Sequence, residues 1–374
     1  MTRPPRQAET DKVSAAFHAA LTQIGAQTTA GALALWADVP ADLRAATAGG
    51  WLRRAITLVV SHRRQARDLA RAYYRLARAL QTGTTVADPY HPEPTHITLG
   101  DLRREFSALA GTYSPRSGAS ADEAATGESG EASTRPPDEP RSVDRDAPTA
   151  PGGKGQDLDD DADDWEKVLV EELEGLREEE ERTEREAEDE LRTVLDALGT
   201  QNLNRRLAEV DDQQPARDAD AARAKAHQQA GARQAAAASR VAMNGARSST
   251  WTHMRRDRRA LGYVRLSRTG TPCGWCAMLI SRGPVYKSWA SATFNDGDKY
   301  HDNCHCYAMP VWSWGQYQSS ELTALSRQYE ALWPKVTKGH TGKDAVSVWR
   351  RFIRQKQRAA ALEARQSTNT TQEA

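Results

Sequence analysis

The chain has 374 residues, balances 51 Lys+Arg against 51 Asp+Glu, and is 39% hydrophobic with a mean hydropathy of -0.74. That composition leaves too little apolar material for order throughout. It also holds no stretch long enough to cross a membrane, the best being Ile56-Thr57-Leu58-Val59-Val60. The zero net charge hides three blocks: 14 basic against 9 acidic residues in 1–113 (+5), 18 against 33 in 114–250 (-15) and 19 against 9 in 251–374 (+10).

Such blocks point to linkers and interaction surfaces. Met1-Thr2-Arg3-Pro4-Pro5 runs into polar residues without a signal-peptide pattern. The expectation is a protein made in the cytoplasm, where thiols stay reduced.

Residues 8–110 read as a helical module. Val13, Phe17, Leu21 and Ile24 recur at helical steps, Trp51 to Val60 looks like a more buried helix, and Leu69, Tyr73, Leu76 and Leu80 form a third stripe. Gly83 is placed to stop that helix. His18 and His62 read as packing or surface residues. Residues 113–164 are rich in Ser, Gly, Pro, Asp and Glu and predict a disordered acidic linker.

Residues 165–260 read as an acidic helix followed by Ala-rich ones. Trp165, Leu169, Leu173 and Leu176 start a thin apolar stripe, which Leu191, Val194 and Leu198 resume. Between Asp157 and Glu190 stand 19 acidic and 4 basic residues. This is either a solvated helix or a docking segment for a basic partner, including the chain's own basic region. Pro215 suits a first helical turn, and Gly231 and Gly245 weaken the Ala-rich pattern. Arg255-Arg256-Asp257-Arg258-Arg259 closes it as a solvated, basic helix end or a phosphate contact.

Residues 261–315 change character. Tyr263–Ser267 alternates like a strand, Ala277–Ile280 is a short apolar run, Val285-Tyr286 can be a strand, and Asn295–Asp298 is a turn. Cys306–Met309 reads as a closing strand stopped by Pro310. Seven of the ten Trp lie between Trp251 and Trp349, which predicts an aromatic core. Residues 316–374 add two helices, Ser320–Trp333 and Ala345–Ala361, and a polar tail.

All four cysteines fall in this window: Cys273-Gly274-Trp275-Cys276, then 24 residues, then His301-Asp302-Asn303-Cys304-His305-Cys306. A C-x-x-C turn aims two thiolates at one point, and a second close-set pair closes a tetrahedron, the pattern of a structural zinc site. The candidate ligands are Cys273, Cys276, His301, Cys304 and Cys306. Residues two apart on a strand share a face, so Cys304 and Cys306 can both reach the metal while His305 points away. A redox reading of Cys-Gly-Trp-Cys lacks strand–helix–strand surroundings. The motifs H-E-x-x-H, G-x-S-x-G, G-x-x-x-x-G-K-[ST] and G-x-G-x-x-G do not occur.

Pro272–Leu279, Ser281–Tyr286 and Tyr300–Cys306, continued by Pro310-Val311, resemble the phage Mu F-like minor head proteins, closest to those of actinobacterial tailed phages. The likeness covers roughly residues 250–312. His305 replaces the family's usual Arg between the last two cysteines, and Lys299-Tyr300 its Pro-Pro. The resemblance implies a minor capsid protein for head morphogenesis. Its partners would be the portal and the major capsid or scaffold protein, inside the procapsid and virion. The basic C-terminal region adds packaged DNA as a further partner. The alternative, from a different class, is a capsid maturation protease. The expected fold is mainly α: a helical N-terminal module, a disordered acidic linker, long helices and a small zinc-stapled α/β domain.

Overall fold

The computed structural model describes residues 6–41, 45–111, 166–210, 215–267, 272–284, 302, 304 and 306–372. The linker 113–164, Trp165, Val285-Tyr286 and Asn295–Asp298 lie outside them. Long helices dominate, as expected, with a small α/β unit near the C-terminus. Among the described residues no helix is long and apolar enough to cross a membrane.

Helix α1 (Gln7–Ala37) buries Val13, Phe17, Leu21 and Ile24 on one face. Helix α2 (Ala45–Thr82) runs through both stripes read from sequence as two helices. The residues between them, Ser61–Asp68, have no apolar periodicity. They also contain no Gly or Pro, so nothing breaks the helix. Gly83 ends it in the left-handed region at φ 73°, with its N–H on the Ala79 carbonyl at 2.9 Å. Helix α3 (Leu99–Ala110) starts at a reciprocal cap, with Thr98 Oγ1 accepting from the Asp101 N–H and the Asp101 carboxylate accepting from the Thr98 N–H.

The segment predicted to enter a helix at 165 forms a strand instead. Strands β1 (Thr84–Val86) and β2 (His96–Thr98) flank β3 (Lys167–Glu171), which pairs parallel to β1 and antiparallel to β2. In Lys-Val-Leu-Val-Glu, Val168 points into the core and Leu169 stays 39% exposed. The period is two, and the apparent helical stripe was fortuitous. Gly175, at φ 69°, then turns the chain into α4 (Leu176–Leu198).

After α5 (Thr200–Ala208), α6 (Ala216–Arg256) lies along both α1 and α2. Its small residues permit close approach. A Cβ on Gly231 would press into the Trp36 indole, and one on Gly245 into the Arg63 carbonyl oxygen. Gly245→Ala should therefore lower stability by about 1–3 kcal/mol. Gly49→Ala, in α2 with nothing within 4 Å, should raise it by about 0.5–1 kcal/mol. Urea melts of the two variants read the opposite signs.

The acidic helix docks on the chain's own arginines. Arg255 and Arg256 reach the buried Glu179 at 2.9 and 2.5 Å, Arg63 reaches Glu184 at 2.9 Å and Arg71 reaches Glu180 at 3.4 Å. Of the Arg255–Arg259 run, Arg255 and Arg256 bind this helix and Arg259 binds Glu171 of β3.

Strands β4 (Gly262–Leu266) and β5 (Tyr307–Val311) pair antiparallel, Val264 opposite Met309. Pro310 sits inside β5 rather than ending it. A two-stranded sheet is all edge, so its missing N–H breaks no ladder of a third strand. Both faces are buried. Val264, Leu266, Tyr307, Met309 and Val311 join the core of α1 and α2. Tyr263 and Ala308 face the opposite core, built with α7 (Gly274–Ile280), α9 (Ala324–Val336) and α10 (Gly342–Gln372). Trp349 is the centre of that core, 5.2 Å from Trp333 and 5.6 Å from Tyr329 and Phe352. Helix α8 (Trp314–Ser319) links the two sides.

Candidate metal centre

The two cysteine pairs arrive on different elements. Cys273 caps the N-terminus of α7, its Sγ accepting from the Cys276 N–H at 3.4 Å, and Cys276 follows on the first turn. Cys304 and Cys306 lead directly into β5. Their sulfurs meet on one side. The sulfurs of Cys276, Cys304 and Cys306 all lie within 4.8 Å of one another, and Cys276 and Cys304 are 3.6 Å apart. These three residues are 1%, 5% and 4% exposed. Cys273 and Trp275 pack against the group, and the Cys273 thiol also interacts with that of Cys276. His301 and His305 lie outside the described residues.

Burial alone would keep these thiols neutral; their mutual contacts single out Cys304 as the anionic sulfur, while Cys276 and Cys306 are pushed up. Hydrogen bonding to Cys276, then to Cys306, pulls the Cys304 thiol far below its ordinary range. Burial opposes this and the nearby Arg247 and Arg265 charges assist. Cys276 moves the other way, first through its hydrogen bond to Cys273, then through those to Cys304 and Cys306. The thiols thus share their protons as one group.

Three arginines hold the site, none of them singled out by the sequence. Arg247 of α6 is 4% exposed and donates from one Nη2 to the carbonyls of Cys304 at 2.6 Å and Cys306 at 3.0 Å. This fixes the backbone of the C-x-C step. Arg265 of β4, fully buried, points Nη1 at the Cys276 sulfur at 3.7 Å. Arg240 binds Asp302 at 2.7 Å, four residues before Cys306. Only Arg265 left a local signal, as a charge within a strand whose other residues read as buried. The partners of Arg240 and Arg247 lie some sixty residues away in the chain.

The arrangement can bind a soft cation. Three buried sulfurs lie close enough for one metal ion, Cys273 packs beside them, and Arg247 and Arg265 flank the group.

The VG15 protein family model matches residues 189–332. VG15 is a viral gene family, and the similarity agrees with a phage protein. The matched stretch is less than half of the chain, yet it holds all four cysteines and Arg240, Arg247 and Arg265. No curated protein and no solved structure matches.

Proposed function

We propose that this chain is a phage minor capsid protein of the Mu F-like kind. It would act in head morphogenesis, bound to the portal and in contact with the capsid or scaffold protein inside the procapsid. The observation that carries the reading is the buried cysteine cluster within the segment similar to a viral family. Long helices supply arms for assembly contacts, and the cluster staples the small unit that joins them.

The metal in this reading is zinc, and its ligands are Cys273, Cys276, Cys304 and Cys306. The donor set fits: soft sulfurs, two from a C-x-x-C and two from a C-x-C, suit a tetrahedral ion. Four thiolates around one divalent ion leave two negative charges, which Arg247 and Arg265 offset. Four protein ligands leave no open position for substrate, so the role is structural.

Co-expression with the neighbouring portal, scaffold and capsid genes, then mass spectrometry of purified particles, tests the reading. Intact chain in a few copies per particle is the expected result. Absence from particles overturns it. New capsid or scaffold termini that form only in its presence would make the chain a protease instead.

A further inference from the structure

Many arginines of this protein are matched to carboxylates. On α2, Arg63, Arg71, Arg75 and Arg78 are buried and each meets a carboxylate, while Arg255, Arg256 and Arg259 at and after the end of α6 meet Glu179 or Glu171. Helix α10 is the opposite case. Residues 335–358, from the end of α9 into α10, contain eight Lys or Arg, six of them on α10, against one acidic residue, Asp344. Among the described residues none of these eight forms an ion pair.

Five of the eight share one face. At about 100° per residue, Lys343, Arg350, Arg351, Arg354 and Arg358 fall within an arc of roughly 100°. The opposite side carries Ala345, Trp349 and Ile353, which are buried. Lys343, Arg351, Arg354 and Arg358 are exposed. Arg350 is half-buried, its guanidinium 5.8 Å from the Trp275 ring. The stripe extends about 22 Å along the axis at about 1.5 Å per residue.

The stripe is also held in place. Helix α10 packs on α7, the helix bearing Cys276. Gln357 Nε2 donates to the Pro272 carbonyl at 2.8 Å, next to Cys273. A Cβ on Gly274 would stand 3.0 Å from Arg350 Cγ, so the two helices touch there. The cysteine unit therefore fixes where the positive charges point.

We propose that this face of α10 docks the phosphate backbone of double-stranded DNA without reading its sequence. That the DNA is packaged phage DNA rests on the minor-capsid reading; the geometry does not. From Lys343 to Arg358 the stripe has no aromatic or large apolar side chain of its own, the anchors a protein partner needs; the half-buried Trp275 lies beside Arg350 and the exposed Leu362 one turn beyond Arg358. A linear polyanion with one charge per about 1.7 Å matches it, and 22 Å spans roughly six base pairs. Four of the five cations are Arg, whose forked donors suit phosphate oxygens.

The test uses the full chain and two 30-bp duplexes of unrelated sequence, with fluorescence anisotropy between 50 and 200 mM salt. Both duplexes should bind alike, with a log–log salt slope of about -4 for four or five phosphates, or about a 250-fold loss over that range. Arg351→Gln/Arg354→Gln/Arg358→Gln should keep its melting curve and flatten the slope by about 3. Arg177→Gln/Arg182→Gln/Arg185→Gln removes the same charge from exposed positions on α4 and should leave the slope unchanged. No duplex binding, an α10 variant that binds like the parent, or an equal loss in the α4 variant overturns the assignment. Polyglutamate bound as tightly as duplex at equal salt also overturns it, in favour of an acidic protein partner. Duplex binding by a chain absent from particles would sink the capsid reading and leave this one standing. A particle-borne chain with no affinity for DNA does the reverse.

Discussion

Cys276→Ser should reduce bound zinc from about one ion per chain to background and strip hydrogen-exchange protection from β4, α7 and β5. The size of the effect separates two accounts of the cluster. If the thiols were only buried packing groups, one sulfur replaced by oxygen would cost about 1 kcal/mol, because the new hydroxyl still finds neighbouring acceptors. If they hold zinc, the variant forfeits much of a binding energy that is about 10–16 kcal/mol in small zinc-folded peptides. Not all of it becomes global instability. Val264, Leu266, Tyr307 and Met309 sit in the same core as Val13, Phe17 and Tyr73, and the Tyr307 ring lies 4.2 Å from that of His18. The strands are thus partly secured without metal. The expected outcome is a two-part melt: the α1–α2–α6 frame stays folded while the cysteine unit and α10 open early. Chelator applied to the parent chain should reproduce it. A variant that keeps its zinc, or loses zinc without any loss of protection, defeats the structural-zinc proposal.

What could be read from sequence was what local patterns encode. The face of α1, the Ala-rich α6, the β4 alternation and the thiol spacing each depend on residues a few positions apart. The two halves of α2 were also visible, but their continuity was not. Arg63, Arg67, Arg71, Arg75 and Arg78 continue that helical face with charges in place of apolar residues, and a hydrophobic period does not count charges. Strands β1 and β2 left no trace because each has three residues and takes its register from β3, which is 69 or more positions further along the chain. Arg247 looked like one more surface charge on a polar helix. Its function follows only from β5 lying across α6, a long-range event. The pattern is physical: periodicity reports apolar burial, whereas buried charge is settled by partners distant in sequence.

Those partners also carry the second large effect. Asp257→Asn should destabilise the chain by about 3–5 kcal/mol, because it removes the countercharge of a guanidinium that is 0% exposed. The Asp257 carboxylate accepts from Arg78 Nε at 2.7 Å, the Arg259 N–H at 2.9 Å, Tyr74 Oη at 3.0 Å, Trp312 Nε1 at 3.2 Å and Arg78 Nη2 at 3.3 Å. It ties α2, α6 and β5 at one point. Asparagine presents an NH2 where an oxygen accepted, so at least one of these donors loses its acceptor. Glu171, at 2.6 Å from Arg78 but 27% exposed, compensates only in part. The double variant Arg78→Met/Asp257→Asn should lose less than the sum of the single losses, since it leaves no uncompensated charge. By contrast, Glu181→Gln breaks an exposed pair with Arg177 and should not shift the melt. The same site sets a pH dependence. Burial pushes the Asp257 carboxyl up, but the Arg78 hydrogen bonds and charge outweigh it and hold the group below its usual 3.8. A depressed carboxylate stabilises the fold above the unfolded value, and that contribution drains away as pH falls below about 3.8 toward the folded value. Over that window the parent should lose stability more steeply than Asp257→Asn, and the two denaturation curves should converge in acid. Parallel curves would show that Asp257 bears none of the folded state's charge balance.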